Sequence, residues 1–188
     1  MQKAFHIDMT RCTACYACVV ACKNQNQIKA GPVRWRRVVR FELGRFPDVS
    51  VRSFSLSCMH CGSPPCVESC PTRAIQKRKK DGIVVVEPSK CIGCRTCSLT
   101  CPFGAPQFND EGKMEKCDYC LQRTEEGLEP ACVQVCPTRA ISSGTIEELL
   151  ALATRNAAKR MVGATDPSFF LKTDEEGASL RHVHLDIS

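Results

Sequence analysis

Apolar and polar residues alternate over residues 33–58, and the alternation is interrupted at Gly44-Arg45-Phe46-Pro47-Asp48. Successive side chains of a strand point to opposite faces, so a period of two over this length predicts a β-hairpin turning at that interruption. Two shorter hairpins are legible further on. One covers residues 75–86 and turns at Asp81-Gly82, with Ile83-Val84-Val85-Val86 as its return strand. The other covers residues 106–116, with 109–112 at its tip. At Thr145 the period becomes helical: Ile146, Leu149, Leu150, Ala153 and Ala157 share one face, and Thr145 with Glu148 forms a capping-box pattern. Such a helix is expected simply to pack on the rest of the fold. Beyond Gly163 the periodicity is weak and broken at Asp166-Pro167 and Glu176-Gly177, so the end of the chain is expected to extend along a partner. No apolar run approaches the ~20 residues of a membrane-spanning helix, which predicts no direct membrane insertion.

Cysteine dominates what lies outside these patterns. Sixteen cysteines fall into four groups of four. Cys12, Cys15, Cys18 and Cys22 read C-x2-C-x2-C-x3-C, and Cys91, Cys94, Cys97 and Cys101 repeat that spacing. Cys58, Cys61, Cys66 and Cys70 read C-x2-C-x4-C-x3-C, while Cys117, Cys120, Cys132 and Cys136 read C-x2-C-x11-C-x3-C. Pro71, Pro102 and Pro137 follow three of the closing cysteines, as in the C-x2-C-x2-C-x3-C-P run of bacterial ferredoxins.

A cubane [4Fe–4S] cluster presents four iron corners, each wanting one thiolate. Three cysteines two residues apart wrap a loop around three corners, and the next leads the chain away to a different cluster. Each group therefore supplies three ligands to one cluster and one to its partner. A proline after the fourth cysteine is expected to open a helix, where no N–H is needed; Cys22 is followed by Lys23 and lacks that signal. Zinc is the alternative that C-x2-C pairs raise. Zinc ligands come in couples, often with histidine, whereas each group here has a third cysteine and His6, His60, His182 and His184 show no matching spacing. His182-x-His184 reads as part of a solvated tail. A disulfide scaffold suits small secreted domains, and Met1-Gln2-Lys3-Ala4-Phe5-His6 lacks the apolar stretch of a secretory signal.

Aromatic residues make up only 6% of the 188 and Trp35 is the single tryptophan, read as a packing residue rather than an electron relay. The clusters must then serve as much of the interior, and the metal-free chain is expected to have no stable fold. The formal charge of +6 counts cysteines as neutral. Four oxidised cubanes at about −2 each bring the loaded chain to about −2, so the basic residues read as compensation for buried anions. With only two tyrosines and no aromatic interleaving, nucleic-acid binding is not expected. Lys77-Arg78-Lys79-Lys80 reads as a solvated hairpin tip rather than a docking patch. Neither a G-x-G-x-x-G nor a recognisable pterin-binding motif is present, so catalysis is expected to belong elsewhere.

The hexapeptide Cys70-Pro71-Thr72-Arg73-Ala74-Ile75 recurs as Cys136-Pro137-Thr138-Arg139-Ala140-Ile141. This identity points to duplication of a two-cluster unit. Groups two and three with their hairpin make one complete unit, and groups one and four form the second from both ends of the chain. The predicted fold class is α+β: two interleaved bacterial-ferredoxin-like modules with connecting β-hairpins and a C-terminal helix. Residues 1–30 with 117–160 form the outer module, 31–57 the connecting hairpin, 58–116 the inner module and 161–188 the tail.

Residues 5–151 resemble the four-cluster iron–sulfur subunits of the DMSO reductase family of molybdenum/tungsten–pterin enzymes. The stretches that carry the likeness are Leu56-Ser57-Cys58-Met59-His60-Cys61, residues 82–97, Cys101-Pro102-Phe103-Gly104-Ala105-Pro106-Gln107-Phe108 and Lys116-Cys117-Asp118-Tyr119-Cys120. They look nearest to the DMSO reductase and polysulfide reductase subunits, and some tungsten aldehyde oxidoreductases pair with similar small polyferredoxins. The resemblance implies four [4Fe–4S] clusters, one on Cys58, Cys61, Cys66 and Cys101 and one on Cys91, Cys94, Cys97 and Cys70. The other two would use Cys12, Cys15, Cys18 and Cys136, and Cys117, Cys120, Cys132 and Cys22. Some relatives place tryptophan at the third cysteine of group three and hold a [3Fe–4S] cluster; this chain keeps Cys97. The implied role is an electron wire between a Mo- or W-pterin catalytic subunit and a quinone-linked membrane subunit or a soluble ferredoxin- or NAD-linked acceptor. The alternative is a free-standing polyferredoxin. Gly62 and Gly93 are expected to let backbone N–H groups approach sulfur, and His60 and Arg95 either tune single clusters or lie exposed. Without a signal of its own the chain is expected in the cytoplasm, peripheral at the membrane, or exported with a partner that carries a signal.

Overall fold

The computed structural model describes residues 1–156, 158–161 and 163–174. The elements are β1 (Lys3–Asp8), α1 (Ala17–Gln25), β2 (Arg36–Arg45), β3 (Asp48–Ser57), α2 (Pro65–Glu68), β4 (Ile75–Lys77) and β5 (Val84–Val86). They continue with α3 (Thr96–Thr100), β6 (Gln107–Phe108), β7 (Met114–Glu115), α4 (Leu121–Glu125), α5 (Ala131–Gln134), β8 (Ile141–Thr145), α6 (Ile146–Asn156), β9 (Lys159–Arg160) and β10 (Phe169–Lys172). The fold is mixed helix and strand. All three expected hairpins are present, as antiparallel β2–β3, β4–β5 and β6–β7.

The remaining strands form one sheet in the order β8-β1-β10-β9, which the alternation pattern does not anticipate. Its strand β1 lies between two neighbours, antiparallel to β8 with Ile7 opposite Ile141, and parallel to β10 with Phe5 opposite Phe169. Residues Ala4, Phe5, His6, Ile7 and Asp8 are all buried, so neither face of this strand from Ala4 on is exposed, and the polar His6 and Asp8 are buried with the rest. Helix α6 covers the sheet through Leu149 and Ala153, which pack with Ala4 and Phe170. Its capping box forms as expected, with Glu148 N–H donating to Thr145 Oγ1 at 3.2 Å and Thr145 N–H donating to Glu148 Oε2 at 2.8 Å. Leu150 is exposed rather than part of the buried face, and Ala157 lies outside the described residues.

The expected tail divides into two parts. Residues 163–174 pack against the molecule instead of trailing away. Phe169 and Phe170 are buried, which contributes about 1.5–3 kcal/mol for each ring and holds β10 in the sheet. Ser168 N–H donates to Met59 O at 3.1 Å, and Gly62 and Ser63 N–H donate to Asp166 O and Thr165 O, so this segment clamps the loop of group two. Glu176-Gly177, His182 and His184 lie outside the described residues.

The prolines act differently from the expectation. Pro71, Pro102 and Pro137 sit in turns after α2, α3 and α5, not at helix starts. The short helices precede the closing cysteines, and each proline stands where the chain has already left the helix. Group one lacks this proline, and α1 runs on through Cys22 to Gln25, longer than the other three. The two copies of the repeated hexapeptide adopt one conformation. Arg73 and Arg139 N–H donate to Cys70 O and Cys136 O, both arginines have φ near +50° (54° and 51°), and Ala74 and Ala140 are buried. One copy enters β4 and pairs with β5 ahead of group three; the other enters β8 and pairs with β1 ahead of group one. Helix α2 packs on α3, and α1 packs on α5.

Candidate metal centre

Each C-x2-C opens with the same backbone device. The residue before the second cysteine has positive φ in all four groups: Ala14 at 54°, His60 at 43°, Gly93 at 71° and Tyr119 at 66°. Tyr16 and Arg95, just after the second cysteine of groups one and three, repeat it at 61°. Left-handed residues inserted into such loops turn successive N–H groups inward and form the anion-binding concavities typical of Fe–S sites. Non-glycine residues reach this conformation only at a cost of roughly 1–2 kcal/mol, and five of these six residues are not glycine.

These loops gather the cysteines into four sets. Cys12, Cys15, Cys18 and Cys136 line one cavity, closed by Ile7, Val38 and Ile141. Cys58, Cys61, Cys66 and Cys101 line a second, closed by Met59, Val84 and Phe103. Cys22 lies near enough to Cys132 and Cys120 for their charges to act on it, and Cys117 feels Cys22 and Cys132. Cys97 feels Cys94, Cys91 and Cys70 in the same way. In every set the fourth member comes from a different group and is the closing cysteine of that group. Among the described residues no three of His, Cys, Asp and Glu converge on the position of a single ion. The thiols instead ring a space, which suits a polynuclear group with separated corners.

Burial opposes thiolate formation at most of these positions. It pushes Cys22 and Cys66 up to about 12 and Cys97 to about 11, with neighbouring thiols adding to the effect. At Cys70 and Cys136 burial acts the same way, but N–H donors from the repeated hexapeptide and the hydroxyls of Thr72 and Thr138 outweigh it and lower both. Ala140 N–H lies 3.2 Å from Cys136 Sγ. Polar donors also reach Cys18 (Ser55 Oγ, 3.4 Å), Cys91 (Met114 N–H, 3.4 Å) and Cys94 (Thr96 Oγ1, 3.5 Å). Such contacts are the protein's means of tuning a sulfur ligand.

Several residues to which sequence reading assigns no role lie among the sets. Arg36 is 1% exposed, and its Nε and Nη2 have no partner among the described residues. Lys116 is 3% exposed, lines the Cys58 cavity, and donates to the carbonyls of Val84 and Cys117. Two buried cations beside neutral thiols are an uncompensated charge, a strongly unfavourable arrangement. Thiolates bound to an anionic cluster remove that imbalance, so the donor set fits [4Fe–4S] groups. Tyr119, between Cys117 and Cys120, donates its hydroxyl to Ala4 O at 2.7 Å and accepts from Gly144 N–H at 3.1 Å. It thereby ties the fourth group to the central sheet. The hairpin β2–β3 ties the others: Ser53 Oγ donates to Cys12 O at 2.9 Å, and Arg37 donates to Phe103 O and Gly104 O. Ser53, Ser55 and Ser57 are buried on one face of β3, where simple alternation would place apolar side chains. A serine facing a polar site is the one signal of this in the sequence.

Other expectations resolve individually. His60 is fully buried and its pKa is driven well below the ordinary value by burial, then by Lys116, Arg36 and Lys77. Nδ1 accepts Val84 N–H at 3.1 Å, so the neutral ring carries its proton on Nε2. Arg95 is exposed and stacks over Phe108 at 5.0 Å. Gly62 N–H goes to Asp166 O at 2.6 Å and not to sulfur. A Cβ at Gly93 would meet Gly112 O at 2.7 Å, so close backbone approach and positive φ require that glycine. Trp35 packs on the core and donates to Glu115 Oε1 at 3.1 Å. Of the basic run only Lys79 and Lys80 are exposed; Lys77 donates to Cys61 O and Gly62 O, and Arg78 pairs with Asp81 and Glu125. Among the described residues no helix is long and apolar enough to cross a membrane.

Residues 49–146 match a 4Fe-4S dicluster domain, and residues 9–25 match a 4Fe-4S binding domain. The chain is 45% identical over 158 residues to YnfG, a probable anaerobic dimethyl sulfoxide reductase chain of Escherichia coli (strain K12), covering 79% of this chain and 76% of that one. It is 43% identical over 157 residues to a second anaerobic dimethyl sulfoxide reductase chain of the same organism, with the same coverage. A sulfite dehydrogenase subunit of Allochromatium vinosum is 38% identical over 168 residues, covering 78% of this chain and 70% of the relative.

Proposed function

The chain belongs to the iron–sulfur electron-transfer subunits of dimethyl sulfoxide reductase-type and related enzymes, and from that premise we propose that it is a four-site electron wire. The family's subunits of this kind are not the catalytic ones, and this chain is likewise an electron-transfer subunit. Each of the four cysteine sets holds one [4Fe–4S] cluster, through Cys12, Cys15, Cys18 and Cys136; Cys22, Cys117, Cys120 and Cys132; Cys58, Cys61, Cys66 and Cys101; and Cys70, Cys91, Cys94 and Cys97. When bound, such a cluster accepts and passes on one electron at a time.

The observation that carries this reading is the row the sets form. Cys66 packs in the same apolar cluster as Cys70, Cys91 and Cys97. Cys58 acts on Cys117, and Cys18 acts on Cys132. The order is therefore the Cys94 set, the Cys58 set, the Cys117 set and the Cys15 set. Cys94 and Cys15 are the two exposed cysteines, and they belong to the two ends. Cys22, Cys58, Cys61, Cys117, Cys120 and Cys132 of the inner sets are buried, while the ends reach the surface where electrons enter and leave. The packing of α2 on α3 and of α1 on α5, with the matching strand pairs β4–β5 and β8–β1, supports two interleaved ferredoxin-like modules, and β10 adds the segment expected as a tail to the sheet of the outer one.

One end of the row serves a Mo- or W-pterin catalytic subunit and the other a quinone-linked membrane subunit or soluble acceptor, at whichever side of the membrane those partners lie. Anaerobic purification of the untagged complex tests this. A pterin-bearing Mo or W subunit is expected to co-purify in equal amount. A chain that emerges alone and shuttles electrons between unrelated redox proteins would be a free polyferredoxin instead.

A further inference from the structure

We propose that Arg36 is a bridge between the two cluster sites of the outer cysteine groups, raising the reduction potentials of both. This rests on the four-cluster reading. Arg36 opens β2 opposite Ser57, where the hairpin meets the cysteine loops. Nη1 donates to Ser55 Oγ at 3.0 Å, and that hydroxyl lies 3.4 Å from Cys18 Sγ, so one edge of the guanidinium is held toward group one. Its carbon sits 4.7 Å from the centroid of Phe5, which fixes the plane. Nε and Nη2 are buried with no partner among the described residues. A guanidinium donates five N–H bonds in a rigid fork; Nε and Nη2 carry three of them, and a buried cation with these idle is strongly disfavoured.

The groups around it supply the missing counterpart. Burial disfavours its charge, yet Cys132, Cys117, Cys18 and Cys22 together outweigh this and hold its pKa above the ordinary range. Those four cysteines belong to two different sets, three to the Cys117 set and Cys18 to the Cys15 set. Arg36 thus lies near enough to sulfurs of two adjacent sites for their charges to act on it, held toward one of them through Ser55. Reduction adds negative charge to a cluster, so a fixed cation and N–H···S donors favour the reduced form and raise the potential. One cation placed between two sites acts on both and offsets the repulsion between electrons held on neighbours. Lysine would keep the charge but lose the fork.

The test is an EPR-monitored redox titration of the loaded complex carrying Arg36→Gln or Arg36→Lys, with iron counted in each preparation. In the Gln variant two of the four centres are expected to shift downward, and the other two to titrate as in the wild type. At a fixed potential the reduced-to-oxidised ratio of the shifted pair falls about tenfold, equal to about 59 mV for a one-electron couple. The Lys variant is expected to shift the same pair by less. Four unshifted centres, or an equal shift in all four, would overturn the proposal. Should Arg36→Gln lose iron, retention of iron by Arg36→Lys supports the need for a cation, whereas loss in both assigns Arg36 to packing and overturns it. A wild-type titration with fewer than four centres would defeat the four-cluster reading instead, and separates the two failures.

Discussion

Stripping iron from the chain with a strong chelator under reducing conditions is expected to abolish the cooperative fold, not merely the colour. Five of the fifteen buried residues in the largest apolar cluster are cysteines. Without their cluster these line cavities, and the walls lose the atoms they packed against. Arg36 and Lys116 would remain buried with no anion to balance them. The left-handed residues of the four loops would hold strained backbone for no ligand. Structural metal sites contribute on the order of 10–16 kcal/mol in small metal-organised domains, more than a chain of this size can forfeit. The expected readout is loss of slowly exchanging amides throughout β1, β8 and β10, together with a flat thermal melt. An iron-free chain that keeps those amides protected would mean that the sheet, and not the clusters, organises the fold.

The second large effect concerns continuity of the row. Cys58→Ser alters an inner site, and Cys58 is both buried and the neighbour of Cys117 in the next set. The variant is expected to lose that whole centre, about four of roughly 16 iron atoms. Electron flow from a quinol analogue to the catalytic partner should fall to the level of the complex without this chain, because electrons cannot bypass a missing inner site. The three other centres should still be visible by EPR. Unimpaired flow with the centre absent would refute the linear order. Retention of all four centres would refute the ligand role of Cys58.

The sequence makes the ligand groups legible because cluster geometry imposes fixed short spacings, and it makes the hairpins legible because residues 33–58 alternate over a long stretch. The capping box at Thr145 and Glu148 is a local hydrogen-bonding pattern and survives intact in the structure. Strand β1 escapes notice because the alternation Phe5-His6-Ile7-Asp8 is short and its polar members are buried rather than solvated, and β10 because its parallel pairing with β1 is wholly non-local. Helices of four or five residues such as α2 and α5 are too short to show a period, so the neighbouring prolines are misread as starts when they follow helix ends. Arg36 stands in a stretch with Arg34, Arg37 and Arg40, and only the fold singles it out for burial. The basic run 77–80 fails as a simple solvated tip for a related reason: Lys77 finds carbonyls that the turn of group two leaves unpaired.

Iron, acid-labile sulfide and zinc, counted per copy of this chain in the natively purified, untagged complex, test the four-site assignment most directly. About 16 iron and about 16 sulfide with no stoichiometric zinc, and no stoichiometric [3Fe–4S] signal under anaerobic conditions, is the expected result. Zinc in place of iron, or iron near half that number, would contradict it.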